Sequence, residues 1–334
     1  MEQPSLLATK RFVRDLTDGE AVDCVFELRE LSRRQKRNGE AFLKMKLGDA
    51  TGIVEGVVWD SVEEIAAVAA PGTALHVLGN FAADPRYGAS ITVRAVREAL
   101  GHEYDPAELM EAPPIPLAQM TADLEALIAT VQHPHLRELL ERLLAAGTEV
   151  GDRWRSAPAA KLYHQAYRHG LLEHSLSVAQ GVSAMASTFP GIDRDVAVTG
   201  ALLHDIGKVE AYEQSGGAID MSDSGKLEGE IPLGYYRVRR TIEGIEGFPP
   251  DSAQAVLHIV LSHHGRLEHG SPVTPCTREA TLVHMIDNLG GRLGSFDRIE
   301  KTLVDGARWS SFDRALSGSA YFSAPASPQQ AEAA

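Results

Sequence analysis

The side chains of this 334-residue chain that could do chemistry are concentrated in one stretch: nine of its 13 histidines lie between His164 and His284. Imidazoles mixed with carboxylates suit a divalent Mn, Fe, Zn, Co or Ni ion. The sharpest segment is Leu203-His204-Asp205-Ile206-Gly207-Lys208. His204 and Asp205 end an apolar stretch built from Val196, Val198, Ala201 and Leu202, where two ionisable groups are costly to bury without partners. A metal ion is such a partner. Gly207 can let the chain leave the helix, and Lys208 then puts a cation within reach of a phosphate oxygen. The plain alternative is a solvated helix end capped by an aspartate.

Three further segments weigh against that alternative. His174 falls on the helix face of Leu171 and Val178, and Asp287 shares a face with Val283 and His284. His263 and His264 follow another apolar helix, in Leu261-Ser262-His263-His264-Gly265. Each of these has a bland reading as a hydrogen-bonded core residue. Polar intrusions on four apolar helices are unlike independent accidents.

Two kinds of structure must position these groups. Residues 1–100 read as β-rich, with strands over Ala21–Leu31, Ala41–Leu47, Ile53–Trp59, Ala74–Phe81 and Ser90–Val96. A break is expected at Arg33–Gly39, and a short helix starts at Ser61, with Glu64 at the capping-box position. Three strands, a helix and two strands is the layout of an OB-fold barrel. Residues 101–119 form a Pro-rich linker. From 120 to 323 the apolar period is helical, with stripes such as Leu136, Leu139, Leu140, Leu143 and Leu144. Helices are expected near Leu171–Ala186, Asp193–Leu203, Pro232–Ile242, Ser252–Ser262 and Arg278–Leu289. Residues 324–334 are small and polar and expected to be disordered. The fold class is therefore a β-barrel followed by an all-α domain.

The ordered set His174, His204-Asp205 and Asp287 resembles that of the HD-domain phosphohydrolases, which hold a divalent metal with such a set on separate helices. The whole string is similar, more narrowly, to the YhaM-type 3′–5′ exoribonucleases, which join an OB-fold to an HD domain. The carrying segments are His169–His174, His204–Lys208, Leu227–Gly229, Leu261–Gly265, Gly270–Pro272 and Ile286–Leu289. The resemblance implies an HD domain over 120–323, Mn²⁺ as the first candidate ion, and 3′–5′ hydrolysis of single-stranded RNA, with single-stranded DNA a second substrate. One departure matters: many relatives carry a histidine after Leu-Gly in the middle segment, a candidate second-metal ligand, whereas here Leu233-Gly234 precedes Tyr235. Either one ion suffices, or His263 or His264 with water completes a second seat.

In such a mechanism a metal acidifies a water for attack on phosphorus. Asp205 is the central catalytic carboxylate, and Lys208 with His263 or His264 neutralises phosphoryl charge. His169 contacts substrate, protonates a leaving oxygen or is structural. The barrel would bind the strand by stacking and basic contacts. Phe42, Trp59, Phe81 and Tyr87 are the stacking candidates, with Trp59 and Phe81 expected rather in the core. Arg33, Arg34, Lys36, Arg37, Lys44 and Lys46 are the phosphate-contact candidates.

The net charge of −14 argues against indiscriminate nucleic-acid binding. It is uneven: residues 1–100 carry 13 basic against 15 acidic side chains, so nearly all the excess lies beyond them. Cys24 and Cys276 form no CxxC pair, which excludes a zinc ribbon and a disulfide framework and fits a reducing cytoplasm. No apolar run approaches the ~20 residues of a membrane span. A homo-oligomer is compatible with the family. Two other readings stay open: an HD-type nucleotide phosphohydrolase, and a nucleic-acid-binding adaptor with an inactive HD half.

Overall fold

The computed structural model describes residues 11–36, 38–84, 88–110, 113–161, 165–215, 218–301, 303 and 307–323. Arg37, Tyr87 and the expected disordered tail lie outside the described residues. The chain divides into two compact units. One comprises Met1–Ala70, Ala74–Tyr104 and Arg292–Ala334; the other comprises Pro71–Thr73 and Asp105–Gly291. This division differs from boundaries at 120 and 323, because the segment from Arg292 groups with the barrel.

The first unit is built on β1 (Ala21–Gln35), β2 (Ala41–Asp49), β3 (Gly52–Val58), α1 (Val62–Val68), β4 (Ala74–Asp84) and β5 (Gly88–Glu98). The strands close in the order β1-β2-β3-β5-β4, the OB-like barrel expected. Closure depends on the long β1. Its first half pairs antiparallel with β4, from Ala21↔Asn80 to Glu27↔Ala74, and its second half pairs with β2 out to Gln35↔Ala41. An irregularity between Leu28 and Glu30 lets one strand serve both neighbours. Alternation sorts the side chains: Leu43, Met45 and Leu47 of β2 point inward to Phe26, Leu28 and Leu75, whereas Phe42, Lys44 and Lys46 face outward.

Three local expectations are corrected here. The break foreseen at Arg33 comes later, since Arg33 and Arg34 still pair with Leu43 and Phe42. Ser61 makes no side-chain cap: it is left-handed (φ 54°), not in the extended conformation that aims a hydroxyl at the first-turn amides. Trp59 is 43% exposed, because it lies just past the end of β3, where strand alternation no longer governs; Phe81 is buried as expected.

The second unit is helical. Its elements are α2 (Pro106–Leu109), α3 (Leu117–Ala129), α4 (Pro134–Leu144), α5 (Glu149–Ser156), α6 (Gly170–Ala186), α7 (Arg194–Leu203) and α8 (Lys208–Ala211). A hairpin of β6 (Tyr212–Ser215) and β7 (Ala218–Met221) follows, then α9 (Asp223–Leu227), α10 (Glu230–Glu243), α11 (Pro250–Ser262) and the start of α12 (Arg278–Lys301). All five leucines of the α4 stripe are buried. They pack in one core with Trp154, Leu171, Val198, Leu202 and Val260. The core fixes α6, α7, α11 and α12, the four elements that carry the polar intrusions. No described helix is long and apolar enough to cross a membrane.

Candidate functional site

Each candidate ligand sits where a core-packed helix presents or ends an apolar face. His174 lies one turn into α6, between buried Leu171 and Val178. His204 is the residue capping α7, with Asp205 next, and both are buried. His263 caps α11 in the same way. Asp287 projects from α12.

Two glycines let these ends come together. Gly207, expected to let the chain leave the helix, is right-handed (φ −66°) and leads straight into α8. Its role is close approach: a Cβ there would lie 1.9 Å from the Glu230 carbonyl oxygen and 2.5 Å from the Gly234 nitrogen. Thus α10 rests directly on the His204–Asp205 turn. Gly265 has φ +80°, and a Cβ there would run into the His284 ring. That ring anchors the turn, because His284 Nδ1 donates to the His263 carbonyl at 2.7 Å.

The ligand atoms converge. His174 Nε2 is 3.2 Å from each of His204 Nε2, Asp205 Oδ2 and Asp287 Oδ1. His204 Nε2 is 3.3 Å from Asp205 Oδ2 and 3.9 Å from Asp287 Oδ1. Among the described residues, His174, His204 and Asp287 form a metal-ligand group whose chosen atoms all lie within 4.8 Å of one another. Asp205 Oδ2 borders this group and is also drawn 2.7 Å from Lys208 Nζ. The imidazoles are oriented from behind. His174 Nδ1 faces Gln165 Oε1 at 3.1 Å, and His204 Nδ1 faces the Ala201 carbonyl at 2.7 Å. An oxygen acceptor behind each ring puts the proton on Nδ1 and turns Nε2 inward as a ligand.

The electrostatics are those of a cation seat. Burial works against a charged His174, but hydrogen bonding to Asp205 and Asp287 outweighs it and raises its pKa to about 9. Burial likewise opposes ionisation of Asp205, yet the Lys208 ammonium and the neighbouring imidazoles hold it well below the usual carboxylate range. Asp287 is lowered too, the His174 bond overcoming its burial. Lys208 is raised, because Asp205 compensates the cost of burying it. Without a metal, a proton and an ammonium supply the positive charge that the buried Asp205 and the half-buried Asp287 carboxylates require.

These residues fit a divalent ion. The donor set is imidazole and carboxylate, and two buried atoms, Asp205 Oδ1 and His263 Nε2, find no hydrogen-bond partner among the described residues better than each other at 3.5 Å. A cavity of about 270 Å³ opens beside them, lined by His263, His264, His269, His284, Asp287 and Asn288. Sequence reading missed His269, His284 and Asn288 as lining residues. His284 and Asn288 flank Asp287 on α12, and that adjacency was the available signal. His169 precedes α6 in a left-handed conformation, and its Nδ1 donates to the Arg155 carbonyl at 2.7 Å.

On the barrel, Phe42 and Trp59 stack at 4.9 Å with 23° between their planes. The Lys36 ammonium lies 5.4 Å from the Trp59 ring centre. Arg34, exposed, is in register with Phe42 and has no ion-pair partner among the described residues. The other basic candidates are partly neutralised: Arg33 pairs with Glu63, Lys36 with Glu40, and Lys44 and Lys46 both approach Glu55.

Residues 171–291 match the family model described as "HD domain". The 3′–5′ exoribonuclease YhaM of Geobacillus sp. is 31% identical over 284 residues, covering 84% of this chain and 85% of that protein. The YhaM enzymes of Bacillus licheniformis and Bacillus subtilis are each 30% identical over 285 residues, covering 84% of this chain and 88% of theirs. Among solved structures, the second OB-fold domain of replication protein A from Methanococcus maripaludis aligns over 27% of this chain and 94% of its own, at 16% identity and a TM-score of 0.23. Because the similarity to the exoribonucleases runs over more residues than either compact unit holds, and the HD-domain match spans the converging histidines and aspartates, the chain belongs to the YhaM family of 3′–5′ exoribonucleases.

Proposed function

We propose that this protein is a metal-dependent exonuclease that hydrolyses phosphodiester bonds of single-stranded RNA from the 3′ end, with single-stranded DNA as a second substrate. The observation that carries the reading is the convergence of His174, His204, Asp205 and Asp287 on one buried point with an ammonium beside it. Direction and RNA preference rest on the printed names of the relatives. Mn²⁺ is the ion we expect, held by those four side chains. A divalent ion there supplies an acidified water and a Lewis acid for a phosphoryl oxygen.

The protein's own groups do the rest. Lys208 is held beside Asp205 and remains partly open, so its ammonium can meet a non-bridging phosphate oxygen. His264 lines the cavity with Nδ1 fixed on the His269 carbonyl at 2.9 Å, which leaves Nε2 as its working atom. On the barrel, the Phe42–Trp59 stack with Lys36 and Arg34 offers a base platform flanked by cations. Cys24 and Cys276 are both free thiols, which suits work in a reducing cytoplasm.

A time course on 5′-labelled single-stranded RNA tests the reading. With Mn²⁺ the label should move down a ladder of ever shorter products; chelation or Asp205→Ala should stop it. A single label-bearing mononucleotide at the earliest times would mean 5′ attack. Turnover of free nucleotides with intact oligomer would favour the nucleotide phosphohydrolase.

A further inference from the structure

One face of α12 does more than supply Asp287. His284, Asp287 and Asn288 stand at the i, i+3 and i+4 spacing that puts side chains on one side of a helix, and all three line the cavity beside the centre. Asp287 turns toward the ion site, with Oδ1 3.2 Å from His174 Nε2. The other two are outside the metal-ligand group found among the described residues. His284 is fixed from two sides. Its Nδ1 donates to the His263 carbonyl at 2.7 Å, and its Nε2 edge lies against Gly265, where a Cβ would come within 2.2 Å of that nitrogen. A backbone carbonyl can only accept, so the ring proton is on Nδ1 and the neutral imidazole carries a lone pair at Nε2. Asn288 is exposed, and its amide makes no hydrogen bond among the described residues. His264, by contrast, is engaged at both nitrogens: Nδ1 donates to the His269 carbonyl, and Nε2 lies 3.6 Å from Glu230 Oε1.

The cavity, about 270 Å³, is smaller than the about 300–1,000 Å³ of pockets that bury a drug-sized molecule. It suits one sugar rather than a run of strand. Its walls are imidazole, amide and carboxylate, which match hydroxyl groups better than the face of a base. A strand cut from its 3′ end brings its last phosphodiester to the ion site. The sugar carrying that phosphate is then the last ribose, and it must lie within reach of the residues around Asp287. Only at the 3′ end of an RNA strand does one ribose offer free 2′- and 3′-hydroxyls together.

We propose that His284 and Asn288 form the subsite for the terminal ribose of the RNA strand. His284 Nε2 accepts a hydrogen bond from one of its two free hydroxyls, and the Asn288 amide, one helical turn further along α12, engages the other. Such a subsite selects a strand end over an internal residue. It also favours RNA, because the 2′-hydroxyl is what separates RNA from DNA at a given site. Single-stranded DNA keeps only the 3′-hydroxyl and is the poorer substrate. This inference rests on the reading of the centre as a 3′–5′ nuclease.

The test compares strand ends. Removal of the last nucleotide is timed on 5′-labelled RNA oligomers that differ only in the final sugar: ribose, 2′-deoxyribose or 3′-deoxyribose. The full-length protein in Mn²⁺ should remove the ribose-ended nucleotide with a kcat/KM at least about fivefold above either deoxy form, the worth of one hydrogen bond. Asn288→Ala and His284→Asn should each bring one of these two ratios below about twofold, since one hydrogen bond is then missing with either sugar. Asparagine at 284 keeps an N–H for the His263 carbonyl and lacks the Nε2 acceptor, so the turn stays anchored. Met285→Ala, at an exposed neighbour outside the cavity, should leave both ratios unchanged. A ratio does not depend on how much of a variant is folded; should His284→Asn be wholly inactive, Asn288→Ala alone carries the expectation. Equal rates on the three ends in the wild type, or ratios unchanged in Asn288→Ala, would overturn the subsite and leave the nuclease reading standing. Failure to shorten any of the three strands would overturn the nuclease reading and the subsite with it.

Discussion

Metal uptake should expel a proton from His174. In the metal-free protein Asp205 and Asp287, each 3.2 Å from Nε2, outweigh the burial that opposes an imidazolium and raise its pKa to about 9. A proton and a divalent ion compete for that one nitrogen. At pH 7 the folded protein lies about two units below this pKa, so the proton weakens apparent metal binding about a hundredfold, or about 2.7 kcal/mol. The dissociation constant for Mn²⁺ should fall about tenfold per pH unit from 7 to 8 and level off above 9. Calorimetry in two buffers of unlike ionisation enthalpy should count about one proton released per ion at pH 7. The sign for stability follows from the same shift. His174 binds its proton more tightly folded than at its ordinary value of 6.5. The metal-free fold therefore has this stabilisation in full below pH 6.5 and loses it, about 3 kcal/mol, as pH rises through about 9. Urea titrations in chelator, wild type minus His174→Gln, isolate that contribution. A flat dissociation constant between pH 7 and 9, with no proton released, would refute the reasoning.

Other consequences follow from particular contacts. Asp287→Asn should fold but cut turnover more than about a hundredfold, since losing a ligand costs more than losing its support; unchanged turnover would exclude Asp287 from the centre. Gly207→Ala should destabilise the protein by about 1–3 kcal/mol in urea unfolding, because its methyl group must displace the Glu230 carbonyl of α10. Trp59→Ala should weaken single-stranded RNA binding by about 1–3 kcal/mol while leaving the salt dependence intact. Lys36→Ala should instead lower the slope of log affinity against log salt by about 0.7. Equal effects of the two on that slope would mean that Trp59 does not stack.

The metal centre was legible because burying an ionisable side chain on an apolar helix demands a reason. His174, His204, Asp205 and Asp287 each break such a stripe, and the core that buries the stripes brings them together. The barrel strands were legible from alternation, best in β2. What escaped depends on contacts between segments far apart in sequence. Glu230 reads as an acid that complements the helix dipole in a first turn, and only the fold brings it to His264. Gly207 reads as a helix terminator until α10 is seen pressed against it. Trp59 reads as core because the strand pattern was extended one residue too far, and Ser61 reads as a cap because a backbone left-handed at that one residue leaves no mark in the sequence. The hairpin of β6 and β7 was missed because two four-residue strands are too short to establish a period.

The most direct test of the account is a crystal of the protein soaked in Mn²⁺, with anomalous diffraction to locate the ion. A peak bonded to His174 Nε2, His204 Nε2, Asp205 Oδ2 and Asp287 Oδ1, with Lys208 displaced from or sharing Asp205, is the predicted result. Strong anomalous density elsewhere, with these four side chains still bonded only to one another and to Lys208, would contradict it.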